Sequence, residues 1–183
     1  TAYVEVEKLK GVIFETKEER HVILGKVIID TTGEGDIFSS AGESFDTNVN
    51  PKIRNSNTTE CFRIDHIDWE KYSAWKLSHL DEHKELLGKI GSICGFSMIP
   101  IPSNRNDECW VNNWLSNRDS MKVKDLTNIE FTVKSKIPAI IQFFRENFPG
   151  FENAALMDIA SVVGVRHSRR IHGLYQITMD DLI

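Results

Sequence analysis

A glycine-bearing turn after a short apolar run constrains this chain more than any other feature. Val27-Ile28-Ile29 lacks alternating polar residues, which predicts a strand covered on both faces. Asp30-Thr31-Thr32-Gly33-Glu34-Gly35-Asp36 follows it, and two glycines among small hydroxyl residues predict a tight turn with exposed amides. Ligands bind at the carboxyl ends of strands in open α/β sheets. This segment, the glycine turn (residues 30–36), is therefore a candidate binding site. The alternative is a plain strand-to-helix turn.

The residues around the glycine turn predict a β-meander and a short helix. Val4 and Val6 alternate with glutamates, the period-2 pattern of a half-buried strand. Apolar runs at 11–16 and 22–24 are separated by the charged residues 17–20, which predicts antiparallel strands that run into the strand at 27–29. Residues 37–42 then have the composition of a short helix with small, closely packed residues.

The remainder of the chain predicts helices and further strands. Residues 46–58 are rich in Asn, Thr, Ser and Pro, which is typical of a loop or linker. Asp68 can cap a helix that continues to about Leu87, and Thr127 with Glu130 forms a capping box before a helix that ends at 148–150. Further strands are predicted at 93–102 (an edge strand or loop), 110–114, 160–165 and 173–177, with a new helix start at 178–181.

These elements together predict an α+β fold, in which a β-meander leads into a mixed sheet with covering helices. The first predicted domain, residues 1–45, contains the β-meander and the glycine turn. The second predicted domain, residues 46–183, carries most of the helices. The chain begins within an alternating strand pattern, so we expect the sequence to be part of a longer protein.

A cluster of basic residues near the carboxyl end is the second candidate site. The arginine segment (residues 164–173) contains Arg166, His167, Arg169, Arg170 and His172. Guanidinium groups bind carboxylates, phosphates or the electron-rich edge of a reduced flavin. The two histidines are candidates for proton transfer because imidazole titrates near neutral pH. The alternative is a basic patch that pairs with the chain's own acidic residues.

Composition and missing motifs exclude several classes of function. The formal net charge of −5 gives no general attraction to nucleic acid or anionic membranes, and no apolar run reaches the length of a membrane span. There is no visible signal peptide, and the three separated cysteines predict reduced thiols in a cytoplasmic protein. The sequence contains no CxxC pair that would indicate a metal site. His79 and His83 have the spacing of a metal-binding pair, but the glutamate of the HExxH motif is absent. No GxGxxG is present to hold a dinucleotide.

The two candidate sites together resemble a known family. Residues 11–15 and 23–30, with Thr32-Gly33-Glu34-Gly35-Asp36-Ile37, are similar to the segment of FAD-dependent oxidoreductases of the glutathione-reductase-type fold in which a β-meander ends in DATGDGD beside the FAD. Residues 148–153 and the arginine segment, continuing through Tyr175, Thr178 and Asp181, resemble a later segment of the same family. The similar subgroup is bacterial and poorly characterised, and its substrates are mostly unassigned. Residues 46–125 match only loosely, and His167 replaces a common glutamate.

The resemblance implies a fragment of a flavin-dependent oxidoreductase that acts on a small molecule. It assigns residues 1–45 to an FAD-binding domain and residues 46–183 to a substrate-side domain. It places Thr32, Gly33, Gly35 and Asp36 against FAD, and Arg166, Arg169 and Arg170 against substrate or flavin, with His167 and His172 as proton donors. FAD belongs to the full-length parent, and we expect these residues alone not to retain it and to be inactive.

Two alternatives to an enzyme fragment are a non-catalytic binding or interaction domain of the same ancestry and a carbohydrate-acting domain. The second alternative would use Trp69, Trp75, Trp110 and Trp114. Aromatic residues of this kind more often lie in a core.

Overall fold

The computed structural model describes residues 1–47, 58–166 and 168–182. These divide into two compact units, one formed by residues 1–47 with 168–182 and the other by residues 58–166. The α+β class is confirmed, and every described ladder is antiparallel. The elements in chain order are β1 (Ala2–Glu5), β2 (Lys8–Glu15), β3 (Arg20–Leu24), α1 (Asp36–Ser40), β4 (Phe45–Thr47), β5 (Thr58–Thr59), β6 (Phe62–Asp65), α2 (Trp69–Ser78), α3 (Leu80–Cys94), β7 (Ser97–Pro102), β8 (Glu108–Trp114), α4 (Val123–Asn147), β9 (Ala155–Ile159), β10 (Gly164–Val165), β11 (Arg169–Ile171) and a 3-10 helix (Met179–Leu182).

The first unit begins with the predicted meander, in the strand order β1-β2-β3. Gly11 faces Leu24 in the ladder between β2 and β3. A Cβ at Gly11 would lie 2.3 Å from the carbonyl oxygen of Ile23, so this close approach of two backbones requires glycine. The short helix predicted after the glycine turn is confirmed as α1.

The buried strand predicted at 27–29 is wrong. These residues form no strand, and Val27 and Ile29 are each 80 % exposed. An apolar run is buried on both faces only when it pairs within a covered sheet. Here β3 is the edge of its sheet, and no described strand pairs with residues 27–29.

The first unit also contains a two-stranded ribbon, formed by β4 and β11 and called the ribbon below. Arg169 faces Thr47, Arg170 faces Asp46, and Ile171 faces Phe45. The strand predicted at 173–177 is wrong, because these residues form no strand. The strand of this region is β11, which lies earlier in the chain. Sequence analysis did not predict it because two of its three residues are arginines. The predicted helix start at 178–181 corresponds to the 3-10 helix, where the N–H of Thr178 donates to Asp181 Oδ2 at 2.6 Å. Most of the loop predicted at 46–58 lies outside the described residues, which resume at β5.

The second unit is built on a four-stranded sheet in the order β7-β8-β6-β9. The edge strand predicted at 93–102 is confirmed as β7 over residues 97–102, whereas residues 93–94 belong to α3. In β8, Cys109, Val111 and Asn113 are buried while Trp110 is exposed, which is the alternation of a sheet with one covered face. The single strand predicted at 160–165 is wrong over most of its length, because residues 160–163 form no strand. β9 ends before them, and β10 contains only Gly164 and Val165.

Three helices accompany this sheet. Asp68 caps α2 as predicted, with Oδ1 accepting from the N–H of Lys71 at 2.9 Å. The helix does not continue to Leu87, because His79 leaves the helical conformation and separates α2 from α3. The predicted capping box is wrong, since α4 begins at Val123 and its interior contains both Thr127 and Glu130.

The hydrophobic core lies in the second unit. Its fully buried members come from the sheet, from α2–α4 and from residues 148–154, and the largest are Tyr72, Phe62, Phe144, Phe148 and Phe151. All three cysteines are free, as predicted. Burial raises the pKa of the Cys109 thiol to about 12, so this side chain behaves as an apolar core residue.

Candidate functional site

The glycine turn is organised by the carboxylate of Asp30. Its Oδ2 accepts from the N–H groups of Ile37 at 3.2 Å and Phe38 at 3.0 Å, at the start of α1. Its Oδ1 accepts from the N–H and the hydroxyl of Thr32. Desolvation acts to raise the pKa of Asp30, but hydrogen bonds from Thr32, Phe38 and Ile37 outweigh it and hold the pKa below its usual value. The ionised carboxylate therefore fixes the turn to the helix.

Thr32 and Gly35 complete the conformation of the turn. The hydroxyl oxygen of Thr32 accepts from the N–H of Asp36 at 2.8 Å. Gly35 has a φ of 66°, and a Cβ there would lie 2.0 Å from the ring of Phe38. A larger residue at position 35 is thus disfavoured both by the positive φ of the backbone and by the lack of space beside Phe38.

Gly33 leaves the outer side of the turn open. A Cβ at this position would meet nothing within 4 Å. Among the described residues, the N–H groups of Gly33 and Glu34 have no hydrogen-bond partner. Two neighbouring amide donors therefore remain available to an oxygen-rich ligand.

Arg169 joins the arginine segment to the glycine turn. Its Nη1 donates to the carbonyl oxygen of Glu34 at 2.8 Å and to Asp36 Oδ1 at 2.8 Å. Its guanidinium carbon lies 5.6 Å from the centre of the Phe45 ring, and the side chain is only 14 % exposed. Two predicted site segments, more than a hundred residues apart in sequence, thus meet in one unit.

The ribbon directs Arg170 and His172 to the face opposite Arg169. Neighbouring residues of a strand point to opposite sides, so Arg169 shares one face with Phe45 while Arg170 and His172 share the other with Asp46. His172 Nε2 lies 3.3 Å from Asp46 Oδ2, and its Nδ1 lies 3.2 Å from Ser44 Oγ. Both ring nitrogens of His172 therefore have protein partners.

The remaining predicted residues are not part of this arrangement. Arg166 belongs to the second unit, where it lines a cavity of about 260 Å³ with Asn112 and Trp114. His167 lies outside the described residues. Within the part of the chain that the structure describes, no group of three or more His, Cys, Asp or Glu side chains could hold a metal.

Sequence reasoning missed four residues that shape the site. Asp30 gave a usable signal, because an Asp two residues before a Thr in a glycine-rich turn is typical of a side chain that bonds its own backbone. Ser44, Phe45 and Asp46 gave none, since their importance depends on pairing β4 with a strand more than a hundred residues later.

The four tryptophans do not form a common groove. Trp69 and Trp75 pack against the core. Trp110 lies on the exposed side of β8, with the Arg63 guanidinium carbon 5.1 Å from its ring centre. This distribution gives no support to a carbohydrate-acting domain.

No described helix combines the length and the apolar composition needed to cross a bilayer. A family model described as FAD dependent oxidoreductase matches residues 1–183. No match to the chain was found among curated proteins or solved structures.

Proposed function

The chain belongs to the family of FAD-dependent oxidoreductases, and from this premise we propose that its glycine turn contacts FAD in the oxidation or reduction of a small molecule. One observation supports this choice of site above the others. Arg169 bonds both Glu34 and Asp36, so the two segments on which the family resemblance rests are in direct contact.

The residues of the turn fit a flavin nucleotide. FAD presents phosphate oxygens, which accept hydrogen bonds from amide donors, and hydroxyl groups, which can donate to carboxylates. The N–H groups of Gly33 and Glu34 are available, and the side chain of Asp36 is 58 % exposed. Gly33 adds no side chain that would keep a ligand from the backbone.

Each of these residues has a distinct role in the proposal. When bound, FAD supplies the redox chemistry, and the protein supplies orientation and electrostatics. Gly33 and Glu34 donate hydrogen bonds through their backbone. Asp36 accepts one from a hydroxyl group, while Thr32 and Gly35 maintain the shape of the turn. Arg169 is a positioning residue that fixes Asp36 and the carbonyl of Glu34.

The finer assignments belong to the same proposal. The motif resemblance supports the glutathione-reductase-type fold, the bacterial subgroup and a small-molecule substrate. A cytoplasmic location is proposed with them. The assignment of residues 1–45 to an FAD-binding domain and of residues 46–183 to a substrate-side domain stays a prediction. Contacts with substrate or flavin also stay predictions for Arg166, His167, Arg170 and His172. Because the sequence has no GxGxxG, we propose that these 183 residues bind FAD weakly and are inactive alone.

Titration of the isotopically labelled protein with FAD tests the proposal by NMR. We expect weak, saturable shifts of the amide resonances of residues 32–36. Arg169→Ala should weaken this binding about tenfold, because it removes two charge-assisted hydrogen bonds from the turn.

Arg20→Ala is the control, since Arg20 is an exposed arginine of the same unit that pairs with Glu15 and is not part of the proposed site. It should leave the FAD affinity unchanged. Shifts confined to other residues, or no shift at millimolar FAD, would contradict the contact with the turn. A stoichiometric complex with quenched flavin fluorescence would instead contradict weak retention.

A further inference from the structure

A cavity of the first unit adjoins the ribbon, and no residue of the glycine turn lines it. Its volume is about 380 Å³, and its lining includes Asp46, Arg170, His172, Tyr175 and Gln176. This volume is within the range of small-molecule sites, about 300–1,000 Å³. The cavity, called the ribbon pocket below, is large enough for a small organic molecule.

Arg170 brings a positive charge to the ribbon pocket. No acidic side chain among the described residues forms an ion pair or hydrogen bond with its guanidinium. This contrasts with Arg169, which is held by Asp36. A guanidinium that projects from a strand into a concave surface is suited to a planar, two-oxygen anion.

The acidic group of the ribbon pocket has its own partner. Asp46 Oδ2 lies 3.3 Å from His172 Nε2, so this carboxylate and the imidazole form one wall beside Arg170. The hydroxyl of Tyr175 is bonded to Asp181. Its ring offers an apolar wall, and the side-chain amide of Gln176 can donate a hydrogen bond.

We propose that the ribbon pocket binds the carboxylate of a small molecule, with Arg170 as its principal contact. This site is separate from the flavin contact of the proposed function, because Arg169 and Arg170 lie on opposite faces of β11. His172 and Asp46 shape the wall beside Arg170. Binding requires no flavin, so it can be present or absent independently of the proposed function.

Succinate is a suitable probe, and the experiment uses the 183-residue protein without FAD. We expect saturable shifts of the amide resonances of residues 170–176. Arg170→Ala should weaken succinate binding about tenfold or more, because the charge-assisted hydrogen bonds to the carboxylate are lost. Arg170→Lys keeps the charge without the planar fork and should recover only part of the affinity.

Arg20→Ala is the control variant, since Arg20 is an exposed arginine of the same unit that pairs with Glu15. It should bind succinate like the unaltered protein. Equal affinity in Arg170→Ala, equal shifts with sodium chloride at the same ionic strength, or no saturation would overturn the proposal. Binding of inorganic phosphate without succinate would also overturn it, because the ligand class would then be wrong.

Discussion

Glu60 has a fully buried carboxyl group in the second unit, between β5 and β6. Neither carboxyl oxygen has a hydrogen-bond partner among the described residues, and Lys134 Nζ lies 3.6 Å from Oε1. Burial raises the pKa of Glu60 above its ordinary value, although the ammonium group of Lys134 opposes this rise. Asn113 fixes the backbone of Glu60. Its Oδ1 accepts from the N–H of Glu60, and its Nδ2 donates to the carbonyl oxygen of Glu60.

We expect Glu60→Gln to raise the free energy of unfolding at pH 8 by about 1–2 kcal/mol, because a buried ionised group with few partners is replaced by a neutral one. A raised folded pKa means that the native state binds more protons. Stability should therefore fall as pH rises from the ordinary value of 4.5 to the folded value, and then level off. Urea unfolding across pH 4–8 should show this fall in the unaltered protein and not in the variant.

Glu130→Gln provides the control, since Glu130 is a more exposed partner of the same Lys134. Its effect should stay within about 0.5 kcal/mol, as for surface ion pairs. A loss of stability in Glu60→Gln at every pH would show that the ion pair with Lys134 outweighs the cost of burial.

At the scale of elements, helix α1 depends on a carboxylate that lies six residues before it. Asp30→Ala removes the acceptor for the N–H groups of Ile37 and Phe38, and should reduce the local stability of α1 by about 1–2 kcal/mol. The lowered pKa of Asp30 means that its contribution is present above the ordinary value of 3.8 and is lost as pH falls through the folded value. Hydrogen exchange of these two amides should accelerate accordingly.

Asp30→Asn separates charge from hydrogen bonding at the same position. It retains one acceptor oxygen and should lose less protection than Asp30→Ala, with no dependence on acid. Unchanged exchange of the Ile37 and Phe38 amides in Asp30→Ala would show that the start of α1 needs no side-chain acceptor.

The elements that sequence reasoning predicted correctly are those determined by local patterns. Asp68 capped its helix, and α4 ended at the predicted residues 148–150, because both signals depend on neighbours along the chain. The strand at 27–29 was wrong because burial of an apolar run depends on a partner strand. The start of α4 was wrong because a Thr-x-x-Glu pattern also occurs within helices, where Glu130 pairs with Lys134 instead.

The candidate site shows the same limit at longer range. The glycine turn was recognisable because its glycines and hydroxyl residues adjoin each other in sequence. The separation of Arg169 from Arg170 was not, since it follows from the pairing of β11 with β4 and from the alternation of faces. The three arginines lie close together in sequence but have different surroundings. Arg169 contacts the glycine turn, Arg170 lines the ribbon pocket, and Arg166 belongs to the second unit.

At the scale of the whole molecule, the two units differ in the amount of apolar surface that each buries. The core cluster lies entirely between Phe62 and Ala154. In the described part of the first unit, the buried apolar side chains are Ala2 and Ile37, and several residues of β3 and of 27–29 are exposed. Because burial of apolar surface is the main source of folding stability, we expect the second unit to be the more stable one.

Hydrogen exchange of the intact chain measures this difference directly. Amides of β6, β8 and α4 should exchange only through the global opening of their unit, whereas amides of β3 should exchange through low-energy local openings.

Phe144→Ala, which truncates a fully buried ring, should lower protection in the second unit by about 3–5 kcal/mol. Ile23→Ala truncates a side chain that is 63 % exposed and serves as the matched change, with an expected effect below about 0.5 kcal/mol. Comparable protection of β3 and α4 would contradict this reasoning, since the meander would then be stabilised by something other than its own buried surface.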